Sequence, residues 1–343
     1  MAEQWKGKII VLDDDPTGIQ TVHDVSVYTD WEKESIAAGF AEEQSMFYIL
    51  TNSRSFTKEQ TTKCHQQIIR RIIEVAEESG QDFLIVSRGD STLRGHYPLE
   101  TEILRAGLEG LGRLVDGEVI CPFFAEGGRF TIDNIHYVKS GEELIPAGET
   151  EFAKDRTFGY RSSNLTNYIE EKTEGKYLAK DVCVIDLEDL RAGNVEKITG
   201  QLMQVHDFNK IVVNAASYEH LEVFMKALYK ALGYGKRYLY RTAASFVKVI
   251  GNITARPLLT RVEMVSSASE NGGIIVVGSH TAKTTAQLEQ LKEVPGLTFV
   301  QFDSDTVLEE EAFQLETSRV QKQLDTCIKD GRTAVVYTKR KVL

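Results

Sequence analysis

The chemistry in this sequence starts where its first apolar run ends. Residues 8–12 lead without a break into Asp13-Asp14-Asp15-Pro16-Thr17-Gly18. Adjacent carboxylates repel one another, and successive side chains of an extended segment point to opposite sides, so at most two of the three are expected to converge on one ligand. Such a group suits a general base for a hydroxyl, or a Mg²⁺ ligand, at a strand's carboxyl end. A surface turn would account for Pro16 and Gly18, but not for three acids after a buried strand. A second run, residues 83–86, delivers Ser87-Arg88-Gly89-Asp90-Ser91-Thr92-Leu93-Arg94-Gly95-His96. Arg88 and Arg94, among hydroxyls and glycines, can hold a carboxylate or phosphate by guanidinium forks and backbone N–H groups. The same stretch also reads as a strand-to-helix turn in which Ser91 or Thr92 caps a helix containing Leu99 and Leu108.

Two further strand ends carry weaker signals. Residues 123–131, FFAEGGRFT, hold a glycine pair that allows either close approach to a ligand or a hinge, and composition leaves both open. His136 reads as a hydrogen-bonded structural histidine, because no second His, Cys or acid stands at metal-site spacing, and no zinc or other metal site is assigned. Residues 274–277 run into Gly278-Ser279-His280-Thr281-Ala282-Lys283-Thr284. A strand, a Gly/Ser/Thr loop and a helix start can aim free N–H groups at a phosphate, although capping by Thr281 alone would give part of that pattern. Neither G-x-x-x-x-G-K-[ST] nor G-x-G-x-x-G occurs in the chain. Cys64-His65 reads as incidental to a helix, and Lys339-Arg340-Lys341 as a solvated end.

These loops need a frame that sets them side by side. Short β-rich runs recur at 8–12, 25–29, 46–50, 83–86, 119–124, 182–185, 211–214, 273–277, 297–302 and 333–337. Helix-period stretches lie between them, among them 58–78, with Ile68, Ile69, Ile72, Ile73 and Val75 on one broad face, and 221–232. The alternation predicts an α/β fold of two α/β domains with mainly parallel sheets, whose ligands sit beyond the carboxyl ends of strands. The polar SSASENGG stretch, 266–273, is expected to divide domains 1–265 and 273–343, and the second, short for an α/β domain, is expected to be incomplete.

Forty Lys and Arg against 51 Asp and Glu give a formal charge of −11, which disfavours nucleic acid and anionic membranes as partners. Hydrophobic residues at 42% and charged residues at 27% fit a packed globular chain and exclude collagen, coiled-coil and disordered classes. Four dispersed cysteines without a C-x-x-C pair fit a reducing cytoplasmic setting. The N-terminus lacks the apolar core of a signal peptide and no window approaches ~18 apolar residues, so a soluble, unexported protein is expected.

Six segments taken together resemble the four-carbon acid sugar kinase family, formerly a domain of unknown function. They are VLDDDPTGIQTVHDVSVYT (11–29), SRGDSTLRGHYPLE (87–100), CPFFAEGGRFTIDNIHYV (121–138), KDRTFGYRSSNL (154–165), YRTAASFVKV (240–249) and VVGSHTAKTTAQL (276–288). They stand in the family's order and cover almost the whole chain. Asp14, Asp15, Thr17 and Gly18 match the family's A-D-D-x-T-G pattern, with Asp13 in the alanine place. The resemblance implies a carbohydrate kinase that uses ATP and Mg²⁺ to phosphorylate a four-carbon acid sugar such as threonate, erythronate or 3-oxo-tetronate. It implies an N-terminal domain for the sugar acid and a C-terminal domain for ATP. Asp14 or Asp15 would take the hydroxyl proton. Ser91, Arg94 and Gly95 would hold the substrate, and Thr17, Gly18, Arg88 and Asp90 are counted with them. Gly278, Ser279, Thr281 and Thr284 would lie against the nucleotide. A homo-oligomer is compatible with this reading. Family members continue with further Gly-rich segments of the G-G-x-T and G-N type, so a C-terminally truncated nucleotide site is expected here.

Two other readings fit parts of the same sequence. Asp13-x-Asp15-x-Thr17 also fits the nucleophile loop of haloacid-dehalogenase-like phosphohydrolases, with Asp13 as nucleophile, Asp15 as acid and base, and Asp186, Glu188 and Asp189 on Mg²⁺. That reading leaves the arginine loop unexplained. The non-enzyme reading is a sugar-acid-binding remnant without catalysis.

Overall fold

In a computed structural model, which describes residues 5–265, 270–279 and 281–340, the first strand, β1 (Lys8–Asp13), is buried along its whole length. Ile9 and Val11 enter one apolar core while Ile10 and Leu12 enter another. A strand with no polar face needs cover on both sides, and the rest of the first unit supplies it. Its elements follow in the order β2 (Ser26–Tyr28), α1 (Lys33–Ala41), β3 (Met46–Leu50), α2 (Lys58–Ser79), β4 (Phe83–Arg88), α3 (Leu99–Glu109) and β5 (Gly117–Cys121). Then come β6 (Arg129–Ile132), β7 (Ile135–Ser140), β8 (Glu143–Pro146), α4 (Leu165–Lys172), β9 (Cys183–Ile185), α5 (Leu187–Ala192), α6 (Val195–Gln204), β10 (Asn209–Val213), α7 (Tyr218–Gly233), β11 (Tyr238–Thr242) and α8 (Ala244–Ile250).

Eight of these strands form one parallel sheet in the order β2-β3-β1-β4-β11-β5-β10-β9. Helices α1, α2 and α3 cover the Ile10 face, and α5 to α8 cover the Ile9 face. The chain leaves β1 towards β2 and β3 on one side and returns to β4 on the other, so a crevice opens beyond the carboxyl ends of β1 and β4. Helix α2 starts with a capping box, Thr57 with Gln60, and stops at Gly80, whose φ of +65° suits glycine. The α/β expectation holds, and each of the ten β-rich runs overlaps a strand.

Two features were not anticipated. β11 lies in the middle of the sheet, between β4 and β5. An antiparallel sheet β6-β7-β8 is inserted after β5, and Asp133 and Asn134, both with positive φ, form the two-residue turn between β6 and β7. It packs with α4 around Leu93, Tyr97, Ile120, Tyr160, Tyr168 and Val212 in a third core.

The second unit has its own parallel sheet, β12-β14-β13, from β12 (Ile274–Val277), β13 (Leu297–Phe302) and β14 (Thr333–Thr338). It also contains the short helix α9 (Arg261–Met264), α10 (Ala282–Lys292) and α11 (Glu310–Lys329). The chain divides between Arg256 and Pro257, ahead of the polar stretch at 266–273, of which 266–269 lie outside the described residues. Among the described residues no helix is long and apolar enough to cross a membrane.

Candidate active site

Parallel register sets the site's first pair. Asp13 lies directly across from Arg88 on the neighbouring strand, and the two side chains pair at 3.2 Å, both almost fully buried. Past the strand end the alternation rule lapses. Arg88 Nη1 also lies 3.9 Å from Asp14 and 3.8 Å from Asp15, so all three carboxylates converge on one guanidinium, against the expectation of two. The turn after β3 adds Arg54, which donates to Asp14 Oδ1 at 2.5 Å and Oδ2 at 3.2 Å and also pairs with Asp15. Thr17 closes the turn by donating from its N–H and its hydroxyl to Asp15 Oδ1. Gly18 is required because a Cβ there would run into the Asp13 carboxylate.

The environments of the three acids differ. Burial pushes Asp13 up to about 7, reinforced by Asp14 and Asp15 and opposed by Arg88. Burial also raises Asp14, against Arg54 and Arg241. Around Asp15 burial acts upward too, but Arg54, Thr17 and Arg88 outweigh it and hold the carboxyl below its ordinary value. Asp15 keeps 19% of its side chain exposed against 3% for Asp14. Asp15 therefore is the ionised carboxylate a ligand can reach, while Asp14 is enclosed with its arginine.

Beyond β4 the chain turns at Asp90, whose carbonyl accepts from Leu93 N–H at 3.1 Å. Asp90 accepts from Arg94 Nε at 2.7 Å and from the Thr92 hydroxyl. Burial would raise its carboxyl, but Arg54, Arg94 and these hydrogen bonds bring it down to about 2. Arg94 is half-buried and leans over the Phe152 ring, 5.0 Å from its centroid. Gly95 has φ +122°, and a Cβ there would sit 2.6 Å from Arg241 Nη2 and 3.1 Å from Asp14 Oδ2. Ser91 is buried beside them. The candidate residues Asp14, Asp15, Thr17, Gly18, Arg88, Asp90, Ser91, Arg94 and Gly95 thus gather at the carboxyl ends of β1 and β4. Arg88 differs from its expected use: with Asp13 on Nη1 and Gln20 on Nη2 at 3.1 Å, it braces the acid turn, which leaves Arg94 as the more open guanidinium of this loop.

Behind the turn lies a buried network that the sequence reading missed. Arg241, on β11, donates to Ser87 Oγ at 3.0 Å and Glu100 Oε2 at 2.6 Å, with Asp14 Oδ2 at 4.0 Å. Glu100 accepts from Ser53 Oγ at 2.5 Å and lies 3.9 Å from His65. Arg54 had a visible signal, since it follows the strand 46–50 and obeys the same strand-end rule. Arg241 and Glu100 had none, because they meet 141 residues apart.

In the second unit, Ser279, Thr281 and Thr284 join their hydroxyls at 3.0–3.3 Å at the start of α10, and Thr281 caps the helix by accepting from Thr284 N–H. A Cβ at Gly278 would meet open space. Arg340 donates to the Ser279 carbonyl at 2.5 Å, and Lys339 pairs with Asp303 at 2.7 Å and with Asp305, so these two are tied into the fold, contrary to the reading of a solvated end. His280 and Lys341 lie outside the described residues.

The phosphohydrolase alternative separates in space. β1 and β9 are parted by β4, β11, β5 and β10, roughly 24 Å at ~4.8 Å per strand. Asp186 caps α5 and Asp189 pairs with Lys197 at 2.6 Å, so neither reaches the Asp13 turn. Among the described residues no group of three or more His, Cys, Asp or Glu is placed to hold a metal ion, and no magnesium ligand is assigned.

Residues 9–250 match the family model of a sugar-binding N-terminal domain, and residues 274–342 that of a nucleotide-binding C-terminal domain. No curated protein shows significant similarity to the chain. Among solved structures, a Salmonella typhimurium LT2 protein named provisionally as a tRNA synthase is 16% identical with a TM-score of 0.64, over 98% of this chain and 75% of that one. A Haemophilus influenzae protein of the DUF1537 family is 17% identical with a TM-score of 0.56, over 96% and 74%. A Bordetella bronchiseptica DUF1537 protein, crystallised with bound citrate as a domain-swapped dimer, is 14% identical with a TM-score of 0.51, over 98% and 75%. At these identities the likeness is one of fold.

Proposed function

We propose, from the premise that this chain belongs to the four-carbon acid sugar kinase family, that it transfers the terminal phosphoryl group of ATP to a hydroxyl of a four-carbon acid sugar of the threonate, erythronate or 3-oxo-tetronate type. The observation that carries this reading is that the turns following the adjacent strands β1 and β4 carry, respectively, an ionised carboxylate at Asp15 and the half-buried Arg94. A sugar acid has two ends, a hydroxyl that must lose a proton and a carboxylate that must be held. This crevice offers a group for each.

In the proposed mechanism Asp15 accepts the hydroxyl proton as the oxygen attacks the terminal phosphorus, the bond from that phosphorus to the bridging oxygen breaks, and ADP leaves. Asp14, held by Arg54, and Asp13, held by Arg88, fix the turn that aims Asp15. Asp90, ionised under Arg54 and Arg94, accepts hydrogen bonds from substrate hydroxyls, and Ser91 lines the same wall. Positioning and electrostatics supply most of the rate in phosphoryl transfer, so a turn braced by two arginines is the kind of rigid support the reaction needs. The hydroxyl cluster of Ser279, Thr281 and Thr284, with the open approach at Gly278, suits a phosphate group of the nucleotide. Mg²⁺ would arrive with the phosphates, the usual way it is held in such sites. The citrate bound by the Bordetella bronchiseptica relative is in keeping with a small carboxylate as a ligand here.

The test is ADP release by the purified chain with Mg·ATP and a panel of four-carbon sugar acids. Release that depends on one of these acids and disappears in Asp15→Asn supports the reading. Release without any acid, or none with the whole panel at millimolar concentration, overturns it.

A further inference from the structure

Three buried side chains reach one loop from the inserted region. His136 Nε2 meets the Ser91 carbonyl at 2.7 Å, Tyr160 OH donates to the Thr92 carbonyl at 2.8 Å, and Tyr168 OH donates to the Leu93 carbonyl at 2.9 Å. A carbonyl only accepts, so His136 carries its proton on Nε2, and Nδ1 accepts from the Thr131 hydroxyl at 3.0 Å. Three consecutive carbonyls, each taken by a donor from another element, fix the backbone immediately before Arg94. Leu93 is held there at φ +69°, a conformation a free Leu rarely adopts.

The fixed loop presents Arg94 to a second arginine. Arg94 and Arg129 both lie over the Phe152 ring, at 5.0 and 5.9 Å from its centroid. Arg94 is engaged by Asp90 through Nε, which leaves its two terminal nitrogens without a protein acceptor among the described residues. Arg129 donates Nη1 to the Gly127 carbonyl, while its Nε is buried with no partner. Two like charges on one ring, one of them with a buried donor left unpaired, are a poor arrangement alone and a good one around an anion.

We propose that Arg94 and Arg129, seated on Phe152, form the carboxylate subsite of the crevice, and that His136, Tyr160 and Tyr168 are positioning residues that hold Arg94 in it. This deepens the acid-sugar reading and rests on it. Arg129 is the specificity-determining member, because Arg94 is already half-committed to Asp90. The Gly127-Gly128 pair before it, with Gly128 at φ +72°, lets the hairpin bring Arg129 back to the crevice.

Calorimetric titration of the full chain with threonate and erythronate, and with erythritol as an uncharged counterpart, tests this. A charge-assisted hydrogen bond corresponds to a fold-change of about 10 to 100, so Arg129→Gln should weaken acid binding by that factor and leave erythritol binding unchanged. Arg129 is only partly buried, and an unchanged melting midpoint confirms that the variant folds. Tyr168→Phe and His136→Asn should raise KM for the acid several-fold with KM for ATP unmoved, which a general loss of structure would not do. Acid binding equal to wild type in Arg129→Gln, or equal losses for acid and erythritol, overturns the inference. If the wild type binds acid but releases no ADP, the kinase reading fails while the subsite stands. If the wild type binds none of the acids, both fail.

Discussion

Arg241 and Glu100 join the active-site turn to the core, and the worth of that link can be measured. The guanidinium is 2.6 Å from a carboxylate that is 1% exposed, with the Ser87 hydroxyl at 3.0 Å. At an effective dielectric of about 20 the attraction of such a pair is roughly 4 to 5 kcal/mol, which desolvation of both groups largely offsets. Removing one partner keeps the desolvation cost and loses the attraction. Arg241→Met should therefore destabilise the first unit by about 3 to 5 kcal/mol. Glu100→Gln alone should cost less, because Arg241 retains Ser87 and the nearby Asp14. The double variant should recover about 2 kcal/mol relative to the sum of the two. Urea unfolding followed by tryptophan fluorescence reads this cleanly, because both tryptophans, Trp5 and Trp31, belong to the first unit. There is also a pH signature. Burial raises the Glu100 carboxyl, but Arg241 first, then His65 and Ser53, outweigh it and keep it below its ordinary value. Without Arg241 that carboxyl rises and takes up a proton, so the deficit of Arg241→Met should shrink as pH falls. A coupling below about 0.5 kcal/mol would refute the reasoning, since it would mean that the pair acts as two independent solvated charges.

Asp90 gives a second pH test. Its carboxyl is held at about 2 against an ordinary 3.8, so its contribution is complete above the unfolded value and fades as pH drops through about 2. Asp90→Asn should lose roughly 2 kcal/mol at pH 7, and the gap to wild type should close in melts taken from pH 5 towards pH 2. Asp15→Asn should lower kcat by about 10²- to 10⁴-fold while calorimetry shows the sugar acid still bound, and loss of binding instead would move Asp15 from base to substrate anchor. Thr281→Ala removes a helix cap and one hydroxyl of the Ser279–Thr284 cluster. It should raise KM for ATP by about 5-fold with KM for the acid unchanged, and equal shifts in both would count against a nucleotide role.

The sheet was legible because its strands are short apolar runs ended by turn residues, and a strand buried on both faces needs no alternation to be seen. β11 escaped for a related reason. Tyr238-Leu239-Tyr240-Arg241-Thr242 ends in polar residues and passes into α8 without a glycine or proline, so nothing in the local pattern marks its C-terminal boundary, although it lies between two core strands. The β6-β7 hairpin did carry a signal in Asp133-Asn134, two residues that tolerate positive φ between β-branched and aromatic runs. The adjacent glycine pair is the stronger local signal and masks it, and with it the insertion that holds the Arg94 loop by its carbonyls.

The acid triplet shows where one-dimensional reasoning stops. Repulsion between neighbours and alternation along a strand both argue that three aspartates cannot share a partner, and both arguments hold for a chain considered alone. A parallel sheet adds strands from far away in sequence. Asp13 is in register with Leu50 on one side and Arg88 on the other, so the turn four residues past Leu50 brings Arg54, and Arg88 arrives from 75 residues away. Two guanidiniums then convert a repulsive cluster into an alternating one, and the conversion is unequal. Asp14 takes both hydrogen bonds of a bidentate fork, and Asp13 is enclosed under Gly18, whereas Asp15 shares Arg54 and keeps an open edge. The types of residue at the site were therefore readable from the sequence, but the division of labour among them follows from which strands lie beside β1.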